Sequence, residues 1–418
     1  MCLLSVCISL SLALGASRCV APGGTPSPPP SLPPNWAGRH CIILYCVFLH
    51  FTALHSLPFP SLHPLLLSHF HRRTLPSPPH LGVLHCLDLS FCLPQQPPPP
   101  PTMPMFKTAF NGYSVKFSPF LENRLAVSTS ENFGIVGTGR QHILDLTPNG
   151  MVQIAAFDTP DGIYDCAWSE DNENVLVSAS GDGSIKVFDL SAPPMANPVS
   201  NRLEHAHEVA SVDWNMVRKD SFLSSSWDDT IRLWTLDAPH SLRTFAEHSY
   251  CVYNATWNPR HADIFASASG DCTLRVWDVR QPRSTYVIPG HEMEILSCDW
   301  NKYNEFMLAS GSVDKSIKIW DVRNPRQELT RMLGHTYAVR RVKFSPHQES
   351  LMASCSYDMT VCLWDFRQPE DALLARLNHH SEFAVGIDMS VLVEGLLAST
   401  AWDESVFVWQ MGMDPRAA

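Results

Sequence analysis

Histidine, serine and aspartate recur at fixed separations in this chain, and together they are the raw material of acyl transfer. That chemistry needs a hydroxyl nucleophile, a base to take its proton and a carboxylate to orient the base. The aspartates are Asp182, Asp228, Asp271, Asp314, Asp358 and Asp403, and four residues before each stands a serine: Ser178, Ser224, Ser267, Ser310, Ser354 or Ser399. Five of the six units add a histidine 23 residues ahead of the aspartate, namely His205, His248, His291, His335 and His380, while the first has Thr159 in that place. Six residues after each aspartate comes an aromatic, Phe188, Trp234, Trp277, Trp320, Trp364 or Trp409. Repetition decides between catalysis and scaffold. A catalytic site is one asymmetric constellation, whereas this set returns blade after blade, as a hydrogen-bond network inside each repeat would. The expectation is a structural network and no enzyme.

The elements that must position such a network follow from the spacing. Anchors at Trp168, Trp214, Trp257, Trp300, Phe344 and Met389 each precede their aspartate by fourteen residues, giving a unit of 43 to 46 residues. Between the markers lie short runs of period two, such as Ile317-Lys318-Ile319-Trp320, bounded by Asp, Gly, Asn and Pro. These read as strands joined by tight turns, four to a unit. The pattern resembles the WD-repeat family, with Trp-Asp itself at 277–278, 320–321 and 364–365. A degenerate seventh unit stands first: Tyr113 to Pro119 matches the later inner strands, Asn132 replaces the aspartate, and the second hairpin, Phe133 to Leu146, is longer. Only nine residues follow Trp409, so the last blade needs a strand from elsewhere. Met105 to Phe110 is expected to supply it and close the ring. The fold class is therefore all-β, a seven-bladed propeller over residues 103–418.

Residues 1–102 are different material, holding 19 of the 34 prolines, 7 of the 13 cysteines and five charged side chains. Disorder is expected there. The apolar run Leu3 to Leu14 looks like an export signal, but no basic residue precedes it. The preferred reading is translated upstream sequence, with the functional chain starting at Met103 or Met105. Cys41 to Phe51 is too short to span a bilayer, and no stable membrane insertion is expected.

From residue 103 on, 26 Lys and Arg face 40 Asp and Glu, a formal charge of −14 that argues against nucleic acid and for basic peptides. The cysteines of this region, Cys166, Cys251, Cys272, Cys298, Cys355 and Cys362, show no paired spacing and read as small core residues. His379-His380 lacks further ligands, and Gly137-Thr138-Gly139 reads as a hairpin turn, so neither a metal nor any cofactor is expected. What varies from unit to unit is the pair of turns on one face. Asp161, His207, Glu208, Tyr250, Met293, Glu294, Tyr337 and Glu382 follow the histidine position, and Gly181, Trp227, Gly270, Val313, Tyr357 and Trp402 precede the aspartates. Carboxylates beside aromatics around one opening suit an amphipathic peptide carrying Arg or Lys. The expected peptide contacts are Asp161, Glu208, Trp227, Tyr250, Glu294, Tyr337, Tyr357, Glu382 and Trp402, on exposed turns.

Longer stretches go beyond a generic repeat: Gly112 to Pro119, Ile295 to Glu305, Gly334 to Pro346 and His379 to Phe383. With these, residues 103–418 resemble the peroxin 7 family, receptors for the type 2 peroxisomal targeting signal, and plant members in particular. The resemblance implies a cytosolic shuttle that captures matrix enzymes by an N-terminal helix of the form Arg-Leu, five residues, His-Leu. It also implies a co-receptor, the receptor for type 1 signals, and cycling to the peroxisomal matrix. Asp161 and Glu208 sit in the turns where the family places acidic contacts to the signal's arginine. A rival reading comes from Trp-Asp-Val-Arg at 277–280 and 320–323 and Trp-Asp-Phe-Arg at 364–367, which resemble the motif of WD-repeat substrate adaptors of cullin-based ubiquitin ligases.

Overall fold

A computed structural model describes residues 104–412, so the expectations for the low-complexity segment and for Met103 lie outside the described residues. Within them, 28 strands form seven antiparallel sheets of four strands each. The innermost strands are Asn111–Phe117, Ile163–Trp168, Val209–Trp214, Val252–Trp257, Ile295–Trp300, Val339–Phe344 and Ala384–Met389, and they define blades 1 to 7 in that order. Blade 7 takes its outermost strand from the start of the described chain, where Met105–Lys107 pairs with Ser405–Gln410 in the register Phe106 to Val406. That strand is shorter than the expected run to Phe110. Thr108 turns its N–H and hydroxyl to Glu404 O at 2.8 and 3.0 Å, and the chain leaves to begin blade 1.

The core lies between blades rather than at one centre. Leu223, Ile231 and Phe245 of blade 3, for example, pack on Val252, Trp257, Phe265 and Trp277 of blade 4. Second strands such as Val175–Ser180, covered on both sides, carry only apolar or small residues, while outermost strands such as Ser284–Pro289 are half exposed. Polar side chains staple neighbouring inner strands. Asp213, Asp299 and Asp388 each accept the backbone N–H of the next blade's anchor, at Trp257, Phe344 and Phe117, all at 2.8 Å. Arg341 of blade 6 crosses the channel to Asp165 of blade 2 at 3.0 Å, where Ser114 of blade 1 also donates at 2.6 Å. Burial opposes ionisation of Asp165, but the Arg341 charge wins and holds its carboxyl at about 2.

Candidate peptide-binding face

The repeated triad joins the two turns of one end of blades 3 to 7. His248 Nδ1 lies 2.8 Å from Asp271 Oδ2, His248 Nε2 lies 2.7 Å from Ser267 Oγ, and Trp277 Nε1 donates to the same hydroxyl at 2.8 Å. The same geometry holds at His205, Asp228, Ser224 and Trp234, at His291, Asp314, Ser310 and Trp320, and at His335, Asp358, Ser354 and Trp364. In blade 7 the tryptophan's place on Ser399 is taken by His379 Nε2, at 3.1 Å. The second carboxylate oxygen works on the backbone: Asp271 Oδ1 accepts from Thr273 N and Oγ1 at 3.0 and 2.6 Å. This Asx turn carries a left-handed residue just after the aspartate, Asp229, Cys272, Lys315, Met359 or Glu404, with φ of 61 to 72°. Such a conformation costs roughly 1 kcal/mol or more in a residue with a Cβ, and the network offsets it.

Blades 1 and 2 depart from this scheme. Asp182 has no histidine and instead binds Lys186 Nζ at 2.7 Å, while Ser178 turns to Gln141 Oε1 at 2.8 Å. In blade 1 the turn at Glu131–Gly134 is held from beneath. Tyr113 Oη donates to Phe133 O at 2.6 Å, Tyr164 Oη to Gly134 O at 2.7 Å, and Phe133 N to Asn111 Oδ1 at 2.9 Å.

These turns bring the variable residues together by a backbone bond that repeats around the ring. Trp227 N–H donates to Glu208 O, Gly270 to Cys251, Val313 to Glu294, Tyr357 to Ala338 and Trp402 to Phe383, at 2.9 to 3.1 Å. Residues from the two variable turns thus sit side by side, blade by blade. Their side chains form two layers. The lower is a continuous arc of aromatic rings: Tyr357 to Phe383 (5.0 Å between centroids), Phe383 to Trp402 (5.2), Trp402 to Tyr113 (6.0), Tyr113 to Tyr164 (5.1), Tyr164 to Trp227 (6.4) and Trp227 to Tyr253 (6.4). Trp227, Tyr357 and Trp402 were expected on exposed turns, but they are 8, 6 and 4 % exposed. Ring-to-ring packing encloses them, so they make a floor.

The rim above holds Asp161, Glu208, Tyr250, Glu294 and Glu382, half-buried instead of exposed as expected, and Tyr337, which is exposed. Small residues let the rim lie flat: a Cβ at Gly181 would stand 2.9 Å from Asp161 Oδ1 and one at Gly270 would overlap the Tyr250 ring. Tyr113, Tyr164 and Tyr253 were missed from sequence. All three stand four residues before an anchor, and aligning the units in register would have shown tyrosine recurring there.

The electrostatics separate rim from network. In the network, Asp228, Asp271, Asp314 and Asp358 are held well below the usual carboxylate range; burial opposes this, and the histidine and the turn donors outweigh it. On the rim, burial raises Asp161, and the charges of Asp182 and Glu208 raise it further. Burial and the same pair, Glu208 and Asp161, push the Tyr164 hydroxyl up. Blades 2 and 3 therefore bring the carboxylates of Asp161 and Glu208 close to the Tyr164 ring of the aromatic floor.

Other candidates resolve locally. Arg280 and Arg323 of the Trp-Asp-Val-Arg motifs fold back on Asp278 and Asp321 at 2.6 Å, closing their own turns. His380 joins the network through Asp403 at 3.1 Å and Ser399 at 2.8 Å. Five of the propeller cysteines are buried, but Cys272 is half-exposed at a turn, contrary to the core reading. No helix among the described residues is long and apolar enough to cross a membrane.

Fold and repeated network together define a WD-repeat propeller. The chain matches the family described as WD domain, G-beta repeat over residues 151–189 and 198–235, and the EIPR1 beta-propeller family over 239–364. It is 65 % identical over 318 residues to peroxisome biogenesis protein 7 of Arabidopsis thaliana, covering 76 % of this chain and all of that protein. It is 57 % identical over 293 residues to the peroxisomal targeting signal 2 receptor of Dictyostelium discoideum, covering 70 % of this chain and 93 % of that one. With the receptor of the same description from Mus musculus the identity is 45 % over 300 residues, 72 and 93 % of the two chains. The chain belongs to the family of peroxisomal targeting signal 2 receptors, which are receptors and not enzymes.

Proposed function

We propose that the loop face binds the N-terminal helical type 2 signal of peroxisomal matrix proteins. In this reading the receptor captures cargo in the cytosol, carries it to the peroxisome with the type 1 signal receptor as co-receptor, and cycles back. The observation that carries it is the pair of carboxylates, Asp161 and Glu208, close to the Tyr164 ring of the aromatic arc. A signal of the form Arg-Leu, five residues, His-Leu places Arg and His seven positions apart, about 10 Å along one helix face. The arginine would meet Asp161 and Glu208, with Trp227, Tyr250, Tyr357 and Trp402 beneath and beside the leucines and Glu294, Tyr337 and Glu382 along the remaining rim. A guanidinium on two carboxylates in a half-buried site makes charge-assisted bonds, which are stronger than neutral ones.

Titration of a fluorescent peptide of this form with the purified chain, with and without the co-receptor, tests the reading. Saturable binding that an Arg→Ala peptide loses is expected. Absence of binding in both conditions overturns it.

A further inference from the structure

The end of the ring opposite the candidate peptide-binding face is formed by the turns that join first to second and third to fourth strands, and charge is divided across it. In blades 7, 1 and 2 the turn after the innermost strand holds Glu394, Glu122, Glu170, Asp171 and Glu173 and neither Lys nor Arg. In blades 4 and 5 the turn after the third strand reads Arg280-Gln281-Pro282-Arg283 and Arg323-Asn324-Pro325-Arg326. Two neighbouring blades thus repeat Arg-x-Pro-Arg, whereas blade 6 has Glu370 in the last place.

The first arginine of each turn is spent on the fold. Arg280 Nε and Nη2 donate to the Asp278 carboxylate at 2.8 and 2.6 Å, and Arg323 Nε and Nη2 to that of Asp321 at 2.9 and 2.6 Å, with the Arg323 guanidinium 4.4 Å over the Phe306 ring. Asp278 O and Asp321 O accept the N–H of Gln281 and Asn324 at 2.9 and 2.8 Å, and the proline that follows fixes φ. The two blades are also tied to each other, since Asn258 Nδ2 donates to Glu305 O at 2.9 Å and Arg260 Nη2 to Tyr303 O at 3.1 Å. The second arginine is left over. Arg283 and Arg326 are exposed and form no hydrogen bond or ion pair among the described residues, although the charge of Glu247 reaches Arg283. Rigid turns therefore hold out two free guanidinium groups at equivalent places, with Tyr303, 41 % exposed, on the same end of blade 5.

We propose that this sector of blades 4 and 5 docks an acidic segment of a protein partner, its carboxylates pairing with Arg283 and Arg326 and an apolar side chain resting on Tyr303. The guanidinium fork suits carboxylates, which it binds through two parallel hydrogen bonds. A flat anionic membrane fits less well, because approach from this end would also bring it to the carboxylates of blades 7, 1 and 2. A peptide segment crosses only the basic sector. The site lies at the other end of the ring from Asp161 and Glu208, so one propeller can hold two partners at once.

Anisotropy titration of the full chain with a rhodamine-labelled peptide rich in glutamate and leucine tests this. Saturable binding is expected, weakening as salt rises from about 0.05 to 0.5 M. Arg326→Glu should weaken it about fivefold and the double change Arg283→Glu, Arg326→Glu about tenfold or more, with binding of a type 2 signal peptide unaltered. Lys107→Glu makes the same change of charge on the outer strand of blade 7 and should leave the acidic peptide's affinity within about twofold. Absence of saturable binding by the wild type, or equal losses in Arg326→Glu and Lys107→Glu, overturns the proposal and leaves the signal-binding reading intact. Sedimentation with phosphatidylserine vesicles that the double variant loses, without binding of the peptide, overturns it in favour of a membrane surface.

Discussion

Asp228 and Asp161 lie on the loop face of adjacent blades, yet their surroundings push their carboxyls in opposite directions. Asp228 is surrounded by donors from its own chain: His205 at 2.8 Å, Ala206 N at 3.1 Å and Thr230 N and Oγ1 at 3.0 and 2.6 Å. Asp161 shares the rim with Glu208, close to the Tyr164 ring of the aromatic arc. The same division runs round the ring. Network carboxylates are pushed down by donors folded against them, whereas Asp161 and Glu294 are pushed up by burial. A carboxylate satisfied within its fold is scaffold, and one that folding leaves under-compensated on a face points to a partner.

Acid should break this comparison first and most severely. Network aspartates have folded pKa values below their unfolded value of about 4, so the stability they supply is present above that pH and lost as pH falls through the folded range. Thermal melts should fall steeply as pH drops below about 4. A melt unchanged at pH 3 would mean the network is not what holds the turns. Next in size is Glu208→Lys, which replaces attraction by repulsion in a half-buried contact and should cost the signal peptide on the order of 2 to 5 kcal/mol of affinity, with the melt nearly unmoved. A loss below about 1 kcal/mol would mark a solvated rim charge. Asp271→Ala is the converse. It strips partners from His248, Ser249 N and Thr273, should lower stability by roughly 1 to 3 kcal/mol, and should leave peptide affinity well below the melt unchanged.

Fold was legible because the repeat imposes one spacing on residues whose roles are geometric: a strand buried on both faces must be apolar or small, and an Asx turn needs its aspartate at one place. The depth of the face was not legible. Trp227 and Trp402 sit in turns, where sequence suggests exposure, but rings from neighbouring blades, separated by 50 residues or more, close over them. Tyr113 and Tyr164 stand at a regular position, four residues before an anchor, but tyrosine there does not by itself announce that their hydroxyls hold the irregular turn of blade 1. Lys186 in place of the missing histidine is likewise a local solution that no repeat rule anticipates.

The smallest effect expected is also the one that tells floor from rim most directly. Gly270 stands just before the network aspartate Asp271, and its missing side chain is what lets the Tyr250 ring lie across the turn, with Tyr253 Cε2 3.3 Å from where a Cβ would be. Gly270→Ala leaves the Asx turn and the triad in place but forces Tyr250 off the face. Tyr250 is a half-buried rim residue that can swing toward solvent, so the melt should change by less than about 1 kcal/mol. If the ring touches the signal, affinity should fall by roughly fivefold, near 1 kcal/mol, and Tyr250→Ala should lose a similar amount. The two changes act through one ring, so the double variant should be no worse than Tyr250→Ala alone, a coupling that a cycle of four peptide titrations measures. Losses that simply add would show that Gly270 acts through the backbone of its turn, and Tyr250 would then be a bystander on the rim.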